Sequence, residues 1–221
     1  MRTKNRKYVT HSETMIRNGT TYNLNVKRSG VYSVIIHRAI DQLDICEAKW
    51  KRVLVVRFDL HQEFYSPDNK LVSLFMKNLK VHLEREYRIH EPGYVWVREL
   101  EKAKSQHYHG YIYLDGNEIR HSSKLLRTME AIWKNIRATN HMSVVRKPYY
   151  FINDEQTKIE AVARISYLAK ARGKGYRDTQ AKDYSTSRLI NLIPKTSGNL
   201  YARPPPQEFR YSEDMNISSS A

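Results

Sequence analysis

The run VLVVRFDLH, residues 53 to 61, constrains this chain more than any other segment. In an extended conformation Leu54, Val56, Phe58 and Leu60 fall on one face, and Val55, Arg57, Asp59 and His61 on the other. Both faces are apolar where the run begins, which is the pattern of a strand covered on both sides there. A chain of 221 residues, 40% hydrophobic and 28% charged, can close a core of moderate size around one sheet. It has room for one domain with arms, or at most two small domains.

The rest of the chain supplies the partners of that strand. Val31 to Trp50 fits a helix, with Val34, Ile35, Leu43 and Cys46 roughly on one side. Pro67 and Asp68 open a second helical segment in which Leu71, Leu74, Phe75, Leu79 and Leu83 recur at three- and four-residue spacing. Pro92 and Gly93 precede YVWVRELE, and HYHGYIYL follows a short polar connection, so the two read as a hairpin ended by Asp115 and Gly116. Leu125, Leu126, Met129, Ile132, Trp133 and Ile136 trace another amphipathic helix. Residues 142 to 152 suit a fourth strand, at an edge or bulge because of Pro148, and residues 158 to 171 a helix ending at Gly173. This order predicts an α+β domain whose antiparallel sheet is covered by helices. The expected boundaries are a basic N-terminal arm with the first helix over 1–50, the domain over 51–175, and a basic, partly disordered tail over 176–221 from which SRLI, residues 187 to 190, can dock back.

Charge narrows the function. Lys and Arg number 38 against 23 Asp and Glu, a net +15, so a polyanion is the expected partner, because cations that neutralise phosphates release condensed counterions. Sixteen tyrosines and three tryptophans suit single strands, whose unpaired bases stack on aromatic faces. Cys46 is the only cysteine, which excludes an intrachain disulfide and a thiolate zinc cage and leaves His and carboxylates as metal ligands. No apolar run approaches the ~18 residues of a membrane span, and residues 1–15 lack the apolar segment of a secretory signal, so a cytoplasmic protein without a membrane partner is expected.

Two constellations carry chemistry. His107 and His109 alternate on one strand and project from one face at a spacing that suits a divalent ion. On the preceding strand Glu99 and Glu101 share a face. A connection of odd length, such as 102–106, sets Glu101 opposite His107 and Glu99 opposite His109. Imidazoles and a carboxylate with open positions accept Mn²⁺ or Mg²⁺ bridging a phosphate oxygen. In the last helix, Tyr167 and Lys170 stand at i and i+3 on one face, with small Ala163 one turn before. A phenol with its pKa near ~10 needs a cation or a base to become a nucleophile, and Lys170 offers the charge.

Together RFDLH, WVRELE, HYHGYIYL, the Trp-bearing helix and YLAK followed by a basic SRL segment resemble the inovirus-type gene-II replication proteins, over roughly residues 50 to 190. These belong with the His-hydrophobe-His (HUH) endonucleases that initiate rolling-circle replication. The resemblance implies a Rep-like, ferredoxin-like domain in which His107 and His109 hold a divalent metal with Glu99 as third ligand. Asp59 and His61 on the first strand are alternatives for that third place. It also implies that Tyr167 attacks a phosphodiester and stays linked to the 5′ phosphate, with Lys170 as its basic companion. Tyr108 fills the position usually held by an aliphatic residue and can pack on the far face of the sheet. Tyr176 and Tyr184 are the competing nucleophiles, and Arg57, Arg98, Lys174 and Arg177 are expected to contact DNA.

The expected function is nicking and rejoining of single-stranded or origin DNA in the cytoplasm of a bacterial host. No GxxxxGK[ST] loop is present, so unwinding falls to a host helicase and extension to a host polymerase. The alternatives are a non-catalytic DNA-binding accessory protein of a phage or integrated element, and a transposase or relaxase using the same chemistry.

Overall fold

Strand β5 (Val53–His61) lies inside an antiparallel sheet, as its two apolar faces require. The structure, a computed structural model, describes residues 8–100, 106–175, 178 and 180–190. Before β5 come β1 (Val9–Thr10), β2 (Thr14–Arg17), β3 (Thr20–Asn23), β4 (Val31–Tyr32) and helix α1 (Ser33–Lys49). After it come α2 (Lys70–Tyr87), β6 (Gly93–Glu99), β7 (His107–Asp115), α3 (Ser122–Ile136), β8 (His141–Ser143), β9 (Tyr149–Ile152), α4 (Glu155–Ile165), a 3₁₀ turn (Ser166–Ala169) and β10 (Tyr184–Thr186). The main sheet runs β10-β6-β7-β5, and both β8 and β9 pair with the far edge of β5. This is a mixed α+β fold on an antiparallel sheet. No helix among the described residues is long and apolar enough to cross a membrane.

Each face of the sheet has its own core. Val53, Val55, Val95, Val97, Tyr111 and Tyr113 pack under α1 and α4, whereas Leu54, Val56, Phe58, Trp96, Ile112 and Leu114 pack under α2 and α3. The α1/α4 core stops before the strand ends are reached, and there the same face carries Asp59, His61, Glu99, His107 and His109. On the opposite face, the hydroxyl of buried Tyr108 accepts from Gln106 Nε2 at 2.7 Å and its ring meets Trp96 edge-on. Gly110 allows the Phe58 ring to lie on the β7 backbone, since a Cβ there would stand 2.1 Å from Phe58 Cζ.

Four expectations change. The first helix is present as α1, but the described part of residues 1–30 is not an arm: the β2–β3 hairpin pairs in register Met15–Tyr22, and Tyr22 and Leu24 enter the α1/α4 core. Few apolar residues among many Ser, Thr and Asn hide this from a periodicity count. The fourth strand is broken in two because Pro148 lacks an N–H, and its carbonyl instead accepts from Arg57 N at 2.7 Å between β9 and β8. The last helix ends at Ile165, where the Ser166 hydroxyl bonds back to Ala163 O at 2.6 Å and accepts from Asn25 N at 2.8 Å, and the chain tightens into the 3₁₀ turn. Finally, part of the expected tail is folded: β10 covers the edge of β6, and Ser187 Oγ donates to Gln42 Oε1 at 2.6 Å. Within residues 187–190, Ser187 and Leu189 dock on Gln42, while Ile190 stays exposed.

Candidate metal centre

Register sets the site. Glu99 pairs directly with His107, and His107 with His61. One step further in, Val97 pairs with His109 and His109 with Asp59. The hairpin is thus shifted by two residues from the expected one, which leaves every side chain on its predicted face. Glu101 lies outside the described residues.

Glu99 Oε2 stands 3.7 Å from His107 Nε2 and 3.7 Å from His109 Nε2. That separation exceeds a hydrogen bond. It falls within the range of about 3 to 4.2 Å for two ligands each about 2.1 Å from a shared ion. Among the described residues, Glu99, His107 and His109 are the group whose ligand atoms converge this way, all within 4.8 Å of one another. The donors fit a divalent ion: one carboxylate, two imidazoles, and no thiolate.

The surroundings orient these ligands. Lys174 Nζ donates to Glu99 Oε1 at 2.7 Å and to Lys170 O at 2.7 Å, leaving Oε2 toward the histidines. Burial opposes the charge on Glu99, but the His107 contact and the Lys174 ammonium outweigh it and hold the carboxyl down to about 2. Asp59 Oδ1 lies 2.9 Å from His109 Nδ1 and favours a tautomer with Nε2 as the ligand atom. Arg57 grips Asp59 with two bonds, Nε to Oδ1 and Nη2 to Oδ2, each 2.9 Å. Burial raises the Asp59 carboxyl, yet His109 and Arg57 bring it below its ordinary value.

Tyr167 is on the 3₁₀ turn rather than the helix, with 40% of its surface exposed. Lys170 Nζ is 4.6 Å from its ring centroid, and Arg57 Cζ is 5.6 Å from it. Arg57 therefore links the tyrosine to Asp59 and, through it, to His109. Lys170 is shifted below its ordinary value by burial and then by the charges of Arg28, Arg172 and Lys27, which cluster around this corner.

The four expected DNA contacts part company. Arg57 is half-buried on Asp59. Arg98, 2% exposed, points away from Glu99 and donates to Ser66 O, Asp68 O, Asn69 Oδ1 and Gln106 Oε1. Lys174, 1% exposed, is the anchor of Glu99. Burial removes these last two from direct phosphate contact, a correction to the sequence reading. Arg177 and Tyr176 lie outside the described residues. Tyr184 is held in β10 opposite Val97, not on a flexible segment.

Of the alternative ligands, Asp59 is taken by the other ring nitrogen of His109. His61 stacks between His107, with ring centroids 5.4 Å apart, and His141, with centroids 4.7 Å apart. Burial and then the neighbouring imidazoles push His61 down to about 4, so it is neutral at pH 7. Sequence reasoning missed His141, which β8 brings to the same end of the sheet, and Lys174 as a carboxylate anchor. The first was legible only once β8 was paired with β5.

Neither a curated protein nor a solved structure matches the chain. A family model described as the YagK/YfjJ C-terminal domain matches residues 14–182, which include the β2–β3 hairpin, the β6–β7 hairpin and the Glu99, His107 and His109 group. That match spans well over half of the chain, and the protein belongs to the YagK/YfjJ C-terminal domain family.

Proposed function

We propose that this protein is an HUH-type DNA endonuclease and strand transferase that nicks and rejoins single-stranded or locally melted origin DNA. The observation that carries the reading is the convergence of Glu99 Oε2 with both Nε2 atoms at 3.7 Å, at the end of the sheet face that Arg57 connects to Tyr167. A bound Mn²⁺ or Mg²⁺ would add positive charge beside a phosphate oxygen and polarise it. Glu99, His107 and His109 would hold that ion, and Asp59, 2.9 Å from His109 Nδ1, orients the His109 ring. Tyr167 Oη attacks phosphorus, the P–O3′ bond breaks, and the phenolic proton ends on the departing 3′ oxygen. A 5′-phosphotyrosine and a free 3′ hydroxyl result, and reversal reseals the strand without another energy source. Lys170 and Arg57 place positive charge beside the Tyr167 ring and so beside the attacked phosphate. A host helicase would open the duplex and a host polymerase would extend the 3′ end.

The test is incubation of the protein with single strands from its replicon's origin and Mn²⁺, followed by a denaturing gel. A protein–DNA adduct is expected, absent with His109→Ala and with Tyr167→Phe, which keeps the ring and removes one oxygen. Adduct formed at the normal rate by Tyr167→Phe would move the nucleophile to Tyr176 or Tyr184. Binding without any adduct would favour an accessory protein that does no chemistry.

A further inference from the structure

Beside Tyr167 the surface opens into a cleft of about 660 Å³ that none of Glu99, His107 and His109 lines. Its walls come from the segment after β3, the connection between β8 and β9, and the outer side of α4. Five cations line it, Lys27, Arg57, Arg146, Lys147 and Arg164, against the single carboxylate of Glu13. Such an imbalance suits an anion. Three tyrosines also line it, Tyr167, half-buried Tyr150 and buried Tyr111, with the Arg164 guanidinium 4.9 Å from the Tyr150 centroid.

Two local features bear on the cleft. Asn25, a lining residue, is fixed by its backbone N–H on Ser166 Oγ at 2.8 Å, and its side-chain amide has no hydrogen-bond partner among the described residues. Lys147 has φ +55°, a left-handed conformation uncommon for lysine, and Pro148 next to it is pinned by the bond from Arg57 N. Besides its sugar, a nucleotide presents a phosphate, the flat face of its base and the base's hydrogen-bonding edge. The cleft offers cations, tyrosine faces and an amide for them.

We propose that this cleft holds one unpaired nucleotide adjoining the phosphate attacked by Tyr167, with Lys27 and Lys147 on its phosphate, Tyr150 against its base and Asn25 on the base edge. The proposal rests on the nuclease reading for its position next to the scissile phosphate. The hairpin ahead of α1 thereby becomes part of substrate selection.

Binding measured in EDTA, where no cleavage occurs, tests it. Fluorescein-labelled single-stranded 12-mers of dT and of dA are titrated by anisotropy at 50 to 200 mM salt. The Lys27→Ala/Lys147→Ala double variant should bind at least about tenfold more weakly at the low salt, with a shallower salt dependence by nearly two phosphate contacts. Asn25→Ala should change the ratio of dT to dA affinity, and Tyr150→Leu should weaken single strands more than a duplex of equal length. Crosslinking of 5-iododeoxyuridine strands should map to the peptide spanning residues 149–167. Wild-type affinity and salt dependence in all three variants, or crosslinks confined elsewhere, overturn the assignment. If the affinity losses appear and no DNA is cut under any condition, the nuclease reading fails while the cleft stands as a single-strand site. If cutting proceeds and the losses do not appear, the cleft assignment alone fails.

Discussion

The ammonium of Lys174, buried 2.7 Å from Glu99 Oε1, fixes which carboxylate oxygen faces the two histidines. The backbone holds the lysine there: Leu100 N donates to Gly173 O at 2.9 Å, and Gly175 N to Asp183 Oδ1 at 3.0 Å.

Lys174→Met leaves the Glu99 carboxylate without its cation in a mostly dry site. A loss of roughly 3–5 kcal/mol of stability is expected, read as a fall in the urea midpoint of metal-free protein. The Glu99→Gln/Lys174→Met double variant should recover part of it, because no charge is then stranded. Additive losses would mean that the pair does not interact.

Asp59→Asn removes the carboxylate that orients His109. Calorimetric Mn²⁺ affinity should drop about 10- to 100-fold, the usual effect of losing such an orienting group. His61→Ala should stay within about twofold of the parent, since His61 stacks on His107 and stands outside the converging group. A loss of the same size with His61→Ala would make that histidine a ligand.

Gly110→Ala places a methyl group where Phe58 Cζ and Cε2 would lie 2.1 and 2.5 Å away, both within a sheet that cannot spread. Overpacking of this kind costs at least about 1–3 kcal/mol. The Gly110→Ala/Phe58→Leu double variant, with a smaller side chain over the strand, should be more stable than Gly110→Ala alone in denaturant titrations.

Alkali should unfold this protein through buried acids. Burial pushes the Cys46 thiol up to about 12, against small opposing effects of a Gly93 bond and Lys49, and burial likewise raises the Tyr108 and Tyr111 phenols to about 12. In the unfolded chain these groups ionise near ~8.5 and ~10. Their contribution is therefore complete below about pH 8.5 and declines as pH rises toward 12, by up to about 1.4 kcal/mol per pH unit for each group titrating only when unfolded. Cys46→Ala should flatten the fall between about pH 8.5 and 10 in urea midpoints. A native Cys46 that reacts with iodoacetamide at the rate of a free thiol at pH 8 would contradict the burial.

Sequence alone determined the two-faced central strand, the hairpin of YVWVRE and HYHGYIYL, the amphipathic α2 and α3, and the shared face of His107 and His109, whereas Glu99 joins that face through the β6–β7 register. Each follows from a period of two or of about 3.6 residues, which local geometry fixes without knowledge of neighbours. Tertiary structure decided everything that depends on which elements meet. The two-residue shift of the hairpin preserves side-chain parity and so leaves no trace in the pattern, yet it moves Glu99 opposite His107. Burial of Arg98 and Lys174 follows from loops folding over strand ends, where charge in the sequence reads the same whether it faces solvent or a buried carboxylate. The N-terminal hairpin and β10 join the domain through a few apolar side chains such as Tyr22 and through backbone bonds to distant partners, such as Ser187 N, just after β10, to Tyr94 O at 3.0 Å, and no local period encodes such contacts.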